Sequence, residues 1–132
     1  MKSLEEKRIV LAIDDDKMQL GLFMKMLGSI YDLRTAESAS LAKHYLETER
    51  ADLILLDITM PHISGFDFLL DIRRNPGYKK IPIIIVSGNS GDDFMKEAKN
   101  SSAFDVLGKP VKPDTLIRTI EKALNSYKQQ ED

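Results

Sequence analysis

The chain has 132 residues, enough for one domain that buries roughly two thirds of the surface its unfolded form exposes. Hydrophobic residues make up 42% of it, charged residues 30%, and the formal net charge is −2; this excludes a disordered chain and a global basic field that would draw it to nucleic acid or an anionic membrane. It has no cysteine, which excludes disulfides, thiolate metal sites and a cysteine nucleophile and fits a cytoplasmic setting.

From the N-terminus, the charged segment MKSLEEKR leads into only five apolar residues, IVLAI at 9–13, before DDD. That run is too short and wrongly flanked for a signal peptide or a membrane span, and it reads instead as a strand covered on both faces. It closes on Asp14, Asp15 and Asp16. Leu20, Phe23, Leu27 and Ile30 then recur at helical spacing. YDLRT at 31–35 is a weaker strand candidate, and 38–49 a helix with a fainter stripe. LILL at 53–56 is the second strong strand; it ends in Asp57 ahead of the turn signal Met60-Pro61. Phe66, Leu69 and Leu70 mark the next helix, and IPIIIV at 81–86 the next strand, closing on Ser87-Gly88. A helix over 91–100 and a strand FDVLG at 104–108 lead to Lys109-Pro110. Lys112-Pro113-Asp114 then opens a final helix striped by Leu116, Ile120, Ala123, Leu124 and Tyr127: proline suits the first helical position, and an acid there meets the positive end of the dipole.

Five alternating strand and helix units predict an α/β fold, a doubly wound open parallel sheet with helices on both faces. With no repeat, linker or low-complexity segment, 1–132 reads as a single domain with a core of about 8–127 and frayed ends. Function in such folds gathers at the carboxyl ends of the strands. There the order of elements collects Asp14, Asp15, Asp57, Ser87 and Lys109.

A carboxylate at the tip of an apolar strand costs several kcal/mol to bury unless it meets solvent or a partner. Two of them about 4 Å apart repel by roughly 4 kcal/mol at an effective dielectric near 20. A divalent cation answers that repulsion, and all-oxygen ligands without Cys or His favour Mg²⁺ or Mn²⁺. A hard cation beside a carboxylate, a hydroxyl and an ammonium suits phosphoryl transfer, with the carboxylate oxygen as nucleophile. Asp16 reads as a helix cap rather than a ligand, and His44 and His62 as surface residues.

With these residues in view, the chain resembles the receiver domain of bacterial two-component response regulators over nearly its whole length. IVLAIDDD resembles that family's first strand and acidic pair, DLILLDITMPHISG its phosphoacceptor loop, IPIIIVSG its fourth strand and hydroxyl residue, and GKP its lysine motif. The resemblance implies a five-stranded flavodoxin-like sheet in the order 2-1-3-4-5. It implies that Asp57 accepts a phosphoryl group from a histidine kinase, a histidine phosphotransfer protein or a small donor. Asp15 would bind Mg²⁺ directly, Asp14 would assist through water or hydrogen bonding, and the Thr59 carbonyl would add a ligand. Ser87 would bond a phosphoryl oxygen, Gly88 would leave room for access, and Lys109, ahead of a cis proline, would pair with the phosphoryl group. Thr59 and Asn89 would tune how fast water removes that group. Phosphorylation would repack the surface of the fourth helix, fifth strand and fifth helix for a downstream protein or output domain, without direct nucleic-acid or membrane binding and without a separate enzymatic substrate. One departure stands out: where the family usually carries Tyr or Phe, three residues before the lysine, this chain has Val106. Phe104 then either takes over part of the exposed face or belongs to the core.

Two other readings compete. A haloacid-dehalogenase-like phosphatase shares an apolar strand followed by Asp-x-Asp, but it needs acidic ligands after the lysine and leaves Asp57 unexplained. A receiver-like docking module that works without phosphorylation would not need the full set of Asp14, Asp15, Asp57, Ser87 and Lys109.

Overall fold

The computed structural model describes residues 7–58, 65–88 and 91–131, with side chains as far as 126. Five strands, β1 (Ile9–Ile13), β2 (Asp32–Ala36), β3 (Leu53–Leu56), β4 (Ile83–Ser87) and β5 (Asp105–Gly108), alternate with five helices, α1 (Lys17–Leu27), α2 (Ala39–Thr48), α3 (Gly65–Arg74), α4 (Asp92–Asn100) and α5 (Pro113–Glu131). The strands form one parallel sheet in the order β2-β1-β3-β4-β5, as the family resemblance implies.

The continuous apolar runs are explained by a sheet with two covered faces. Leu11 and Ile13, Ile54 and Leu56, and Ile83 and Ile85 pack with α2, α3 and α4 residues such as Ala42, Phe68 and Ala98. Their alternate neighbours Val10 and Ala12, Leu53 and Leu55, and Ile84 and Val86 pack with α1 and α5 residues such as Phe23 and Ile120. Period-two alternation sends each strand's side chains to both cores, so neither set can be polar.

Several boundaries move from the sequence reading, each for a local reason. β4 begins at Ile83 rather than 81, because Ile81 donates its N–H to the Tyr78 carbonyl in a turn and Pro82 has no N–H to give the ladder. It runs one residue further, so that Ser87 belongs to the strand and pairs with Gly108. Ile30 is not part of the α1 stripe; it lies past the helix end and is exposed. On α3 the inward face is Phe68, Leu69 and Ile72, while Leu70 is exposed and Phe66 is half-buried against Phe94. The α5 stripe of Leu116, Ile120, Ala123 and Leu124 is buried as read, and the Tyr127 side chain lies outside the described residues.

Helix starts follow their caps. Asp16 accepts the Met18 N–H at 2.9 Å, as expected of a capping residue, and Ser38 Oγ accepts the Leu41 N–H at 3.1 Å. α5 starts at Pro113 with Asp114 in its first turn.

Candidate functional site

Three backbone hydrogen bonds carry the sheet one residue past its strands and fix the site. Asp14 donates its N–H to the Ala36 carbonyl at 3.1 Å, Asp57 to the Ile13 carbonyl at 3.0 Å, and Lys109 to the Ser87 carbonyl at 2.9 Å. Asp14, Asp57 and Lys109 therefore leave from backbone held by a neighbouring strand. Such anchoring supplies the rigidity that a preorganised polar site needs.

Carboxylate oxygens of Asp14, Asp15 and Asp57 lie within 4.8 Å of one another. Asp14 and Asp57 are buried, at 1% and 4% exposure, whereas Asp15 is open to solvent. Of the two alternatives for a strand-tip carboxylate, solvent or a partner, Asp57 takes the second: it is enclosed, with the Lys109 ammonium beside it. Lys109 Nζ is 3.0 Å from Asp14 Oδ2 and 3.6 Å from Asp57 Oδ2, so the lysine sits closer to Asp14 than to Asp57. The other Asp14 oxygen accepts the Asp16 N–H at 2.9 Å.

The titration of this cluster follows from those contacts. Burial pushes the Asp14 carboxyl up; the Asp16 N–H and Lys109 pull it down, the Asp57 charge pushes it up again, and the net result lies above the usual carboxylate value. Burial works against the charge on Lys109, but its hydrogen bond to Asp14 and the charges of Asp57 and Asp14 outweigh it and raise the ammonium's pKa. A carboxyl whose folded pKa exceeds its unfolded value contributes stability at low pH and loses it as pH rises through the folded value. Asp14 therefore costs stability at neutral pH. Asp14→Asn is expected to melt above the native protein in metal-free neutral buffer, with the difference shrinking on acidification towards the carboxylate range; thermal denaturation at the two pH values checks it. Lys109 has the opposite effect: its raised pKa gives stability that is present below its unfolded value and lost only in strong alkali.

Ser87 is buried at the end of β4, beside the β5 terminus that carries Lys109. A Cβ added at Gly88 would meet nothing within 4 Å, so its missing side chain leaves the approach clear without relieving a clash. The Lys109-Pro110 bond is cis. Val106 packs against the core under α2, α3 and α4, whereas Phe104 is half-buried against the opposite core under α1 and α5, the core alternative for that residue. Thr59, His62 and Asn89 lie outside the described residues. His44 is exposed on α2. Asp114 and Glu121 lie on α5 and not at a strand end, which removes the acidic ligands a dehalogenase-like phosphatase would need.

The sequence reading passed over Gly65. It opens α3, and its N–H reaches the Ile58 carbonyl at 3.3 Å. A Cβ there would lie 2.5 Å from the Ile58 Cα and 3.1 Å from the Asp57 carbonyl oxygen. The clash is with backbone, which cannot swing aside, so Gly65 allows α3 to close against the segment that carries Asp57. Gly65→Ala is expected to cost about 1–3 kcal/mol, measured by urea denaturation, and to shift the backbone amide resonances of Asp57 and Ile58. The signal in the sequence was the glycine that ends DLILLDITMPHISG, immediately ahead of the helical stripe.

Among the described residues the donors are three carboxylates with one solvent-open member and no imidazole or thiolate, a set that suits a hard, oxygen-preferring divalent cation that keeps several waters. A sequence profile of the response regulator receiver domain matches residues 10–121. The 3',5'-cyclic-nucleotide phosphodiesterase regA of Dictyostelium discoideum is 31% identical over 121 residues, which cover 89% of this chain but 15% of that protein. The two-component response regulator ORR3 of Oryza sativa subsp. indica is 28% identical over 117 residues, covering 87% of this chain and 89% of the rice protein. Among solved structures, chemotaxis protein CheY4 of Vibrio cholerae matches with a TM-score of 0.81 at 29% identity, covering 89% of this chain and 98% of that one.

Proposed function

Because the chain belongs to the response regulator receiver domain family, whose members act as phosphoacceptors in two-component signalling, we propose that Asp57 is the residue that takes the phosphoryl group. The observation that carries this reading is the enclosed carboxylate of Asp57 within 4.8 Å of the Asp14 and Asp15 oxygens and 3.6 Å from Lys109.

The chemistry is a displacement at phosphorus. An Asp57 oxygen forms the new P–O bond as the bond from phosphorus to the donor's leaving atom breaks, leaving an aspartyl phosphate. Mg²⁺, or Mn²⁺, held by Asp14, Asp15, Asp57 and the Thr59 carbonyl would neutralise charge on the transferring oxygens. Lys109 supplies the second positive charge, moving from its Asp14 contact towards the incoming phosphoryl oxygens, and the Ser87 hydroxyl donates to one of them. Gly88 leaves the approach open.

The donor we propose is a histidine kinase or a histidine phosphotransfer protein. The added charge and acceptor oxygens then engage the buried Ser87 hydroxyl and bias the packing of α4, β5 and α5, through Val106 in place of an aromatic side chain, for a downstream protein or output domain. The chain acts on no separate substrate in this reading. It binds no nucleic acid directly, in keeping with its net charge of −2, and works in the cytoplasm; no helix among the described residues is long and apolar enough to cross a membrane.

Incubation with Mg²⁺ and acetyl phosphate tests the reading by intact mass. One phosphoryl increment that disappears with EDTA and in Asp57→Asn is expected. Equal labelling of the Asp57→Asn protein would overturn it, and a protein that neither labels nor binds Mg²⁺ would point to the phosphorylation-independent docking module.

A further inference from the structure

At the opposite end of the sheet, Arg8 immediately precedes β1, Asp52 precedes β3 and Pro82 precedes β4. With Arg50, Lys80 and Leu124 they line a cavity of about 310 Å³, a size in the range of small-molecule sites. We propose that this cavity binds a small phosphorylated anion, a phosphomonoester with a compact body. It is independent of the Asp57 site, from which the length of the strands separates it.

Charge carries the first part of the argument. Three cations face one carboxylate, and that carboxylate is already committed: Asp52 Oδ2 accepts the Ile9 N–H at 2.7 Å. Its other oxygen lies 3.9 Å from Arg8 Nη1 and 3.8 Å from Arg50 Nε, too far for a hydrogen bond. Asp52 thus keeps both guanidinium groups within ion-pair reach of one oxygen without hydrogen-bonding to their N–H donors. Neither guanidinium has another hydrogen-bond or ion-pair partner among the described residues; the other contacts of these arginines, from Tyr45 Oη to the Arg50 carbonyl and from the Asp32 N–H to the Arg8 carbonyl, are made by the backbone. Each guanidinium offers five donors in a planar fork that matches phosphate, and Lys80 adds a mobile ammonium.

Shape carries the second part. Pro82 and Leu124 are both buried, so one wall of the cavity is apolar while its rim is cationic. A bare ion would leave that wall unused, whereas a phosphomonoester places its phosphate at the arginines and its body against Pro82 and Leu124.

Amide-resolved NMR titration of the whole chain in EDTA, at constant ionic strength, tests the proposal with inorganic phosphate and with adenosine monophosphate. Saturable shifts at Ala51, Asp52 and Gly77 are expected with both probes, tighter for the nucleotide. Affinity should fall about tenfold or more in Arg8→Gln with Arg50→Gln, fall less in Lys80→Gln, and stay unchanged in Asp57→Asn. Arg50 and Lys80 are exposed and Arg8 is half-buried, and an unchanged spectrum away from the cavity verifies the fold. Shifts that do not saturate, that chloride reproduces, that persist in the double variant, or that appear only around Asp57 and Lys109 would each overturn it.

Discussion

Asp15→Ala is expected to weaken Mg²⁺ binding at least about tenfold and to suppress labelling by acetyl phosphate to the same extent. The reasoning starts from how the three carboxylates are already engaged. Asp14 gives one oxygen to the Asp16 N–H and the other to Lys109, and Asp57 lies enclosed beside the same lysine. Asp15 alone is solvent-open and has no hydrogen bond or ion pair among the described residues. It can present an oxygen to a cation without first breaking a contact, and removing it subtracts one full charge from the site. Its exposure also makes the substitution easy on the fold. Calorimetric Mg²⁺ titration reads the effect directly; unchanged affinity would show that the metal is held without Asp15.

The largest stability effect is expected at Phe68. This side chain is fully buried, on the α3 face that packs against β1, β3 and β4. Truncation removes its transfer free energy and leaves a cavity that rigid parallel strands cannot close, so Phe68→Ala should cost about 3–5 kcal/mol. That is a large share of the 5–15 kcal/mol typical of a domain, so the variant is expected to unfold well below the native midpoint of urea denaturation. A loss under about 1 kcal/mol would place Phe68 outside the core.

Much of the sheet was legible because each central strand serves two cores. Val10 to Ile13 and Leu53 to Leu56 are buried without exception, so no polar residue interrupts the pattern and the strand is written as an unbroken apolar run. The edge strands β2 and β5 were fainter for the matching reason: Arg34, Thr35 and Asp105 face solvent. The α3 face was misread because Phe66, Leu69 and Leu70 satisfy helical spacing about as well as Phe68, Leu69 and Ile72 do. Only the direction in which the helix meets the sheet separates the two, and that is a tertiary fact.

The candidate site was legible as a set of residue types at strand ends, since topology alone delivers Asp14, Asp57 and Lys109 to one edge. Their degree of enclosure was not. A sequence cannot tell whether a strand-tip carboxylate looks outward or is roofed by its neighbours, and Asp57 is roofed. The steric role of Gly65 was hidden as well, because the atom it avoids, the Ile58 Cα, is brought near by the return of the chain and not by local sequence.

The central claim is that the phosphoryl group is carried by Asp57 and by no other carboxylate of the cluster. Borohydride reduction of the protein labelled with Mg²⁺ and acetyl phosphate converts an aspartyl phosphate to homoserine, and peptide mass mapping then reads its position. Homoserine at position 57, in the peptide containing LILLD, is the expected result. Homoserine at 14 or 15 with position 57 unmodified would contradict it.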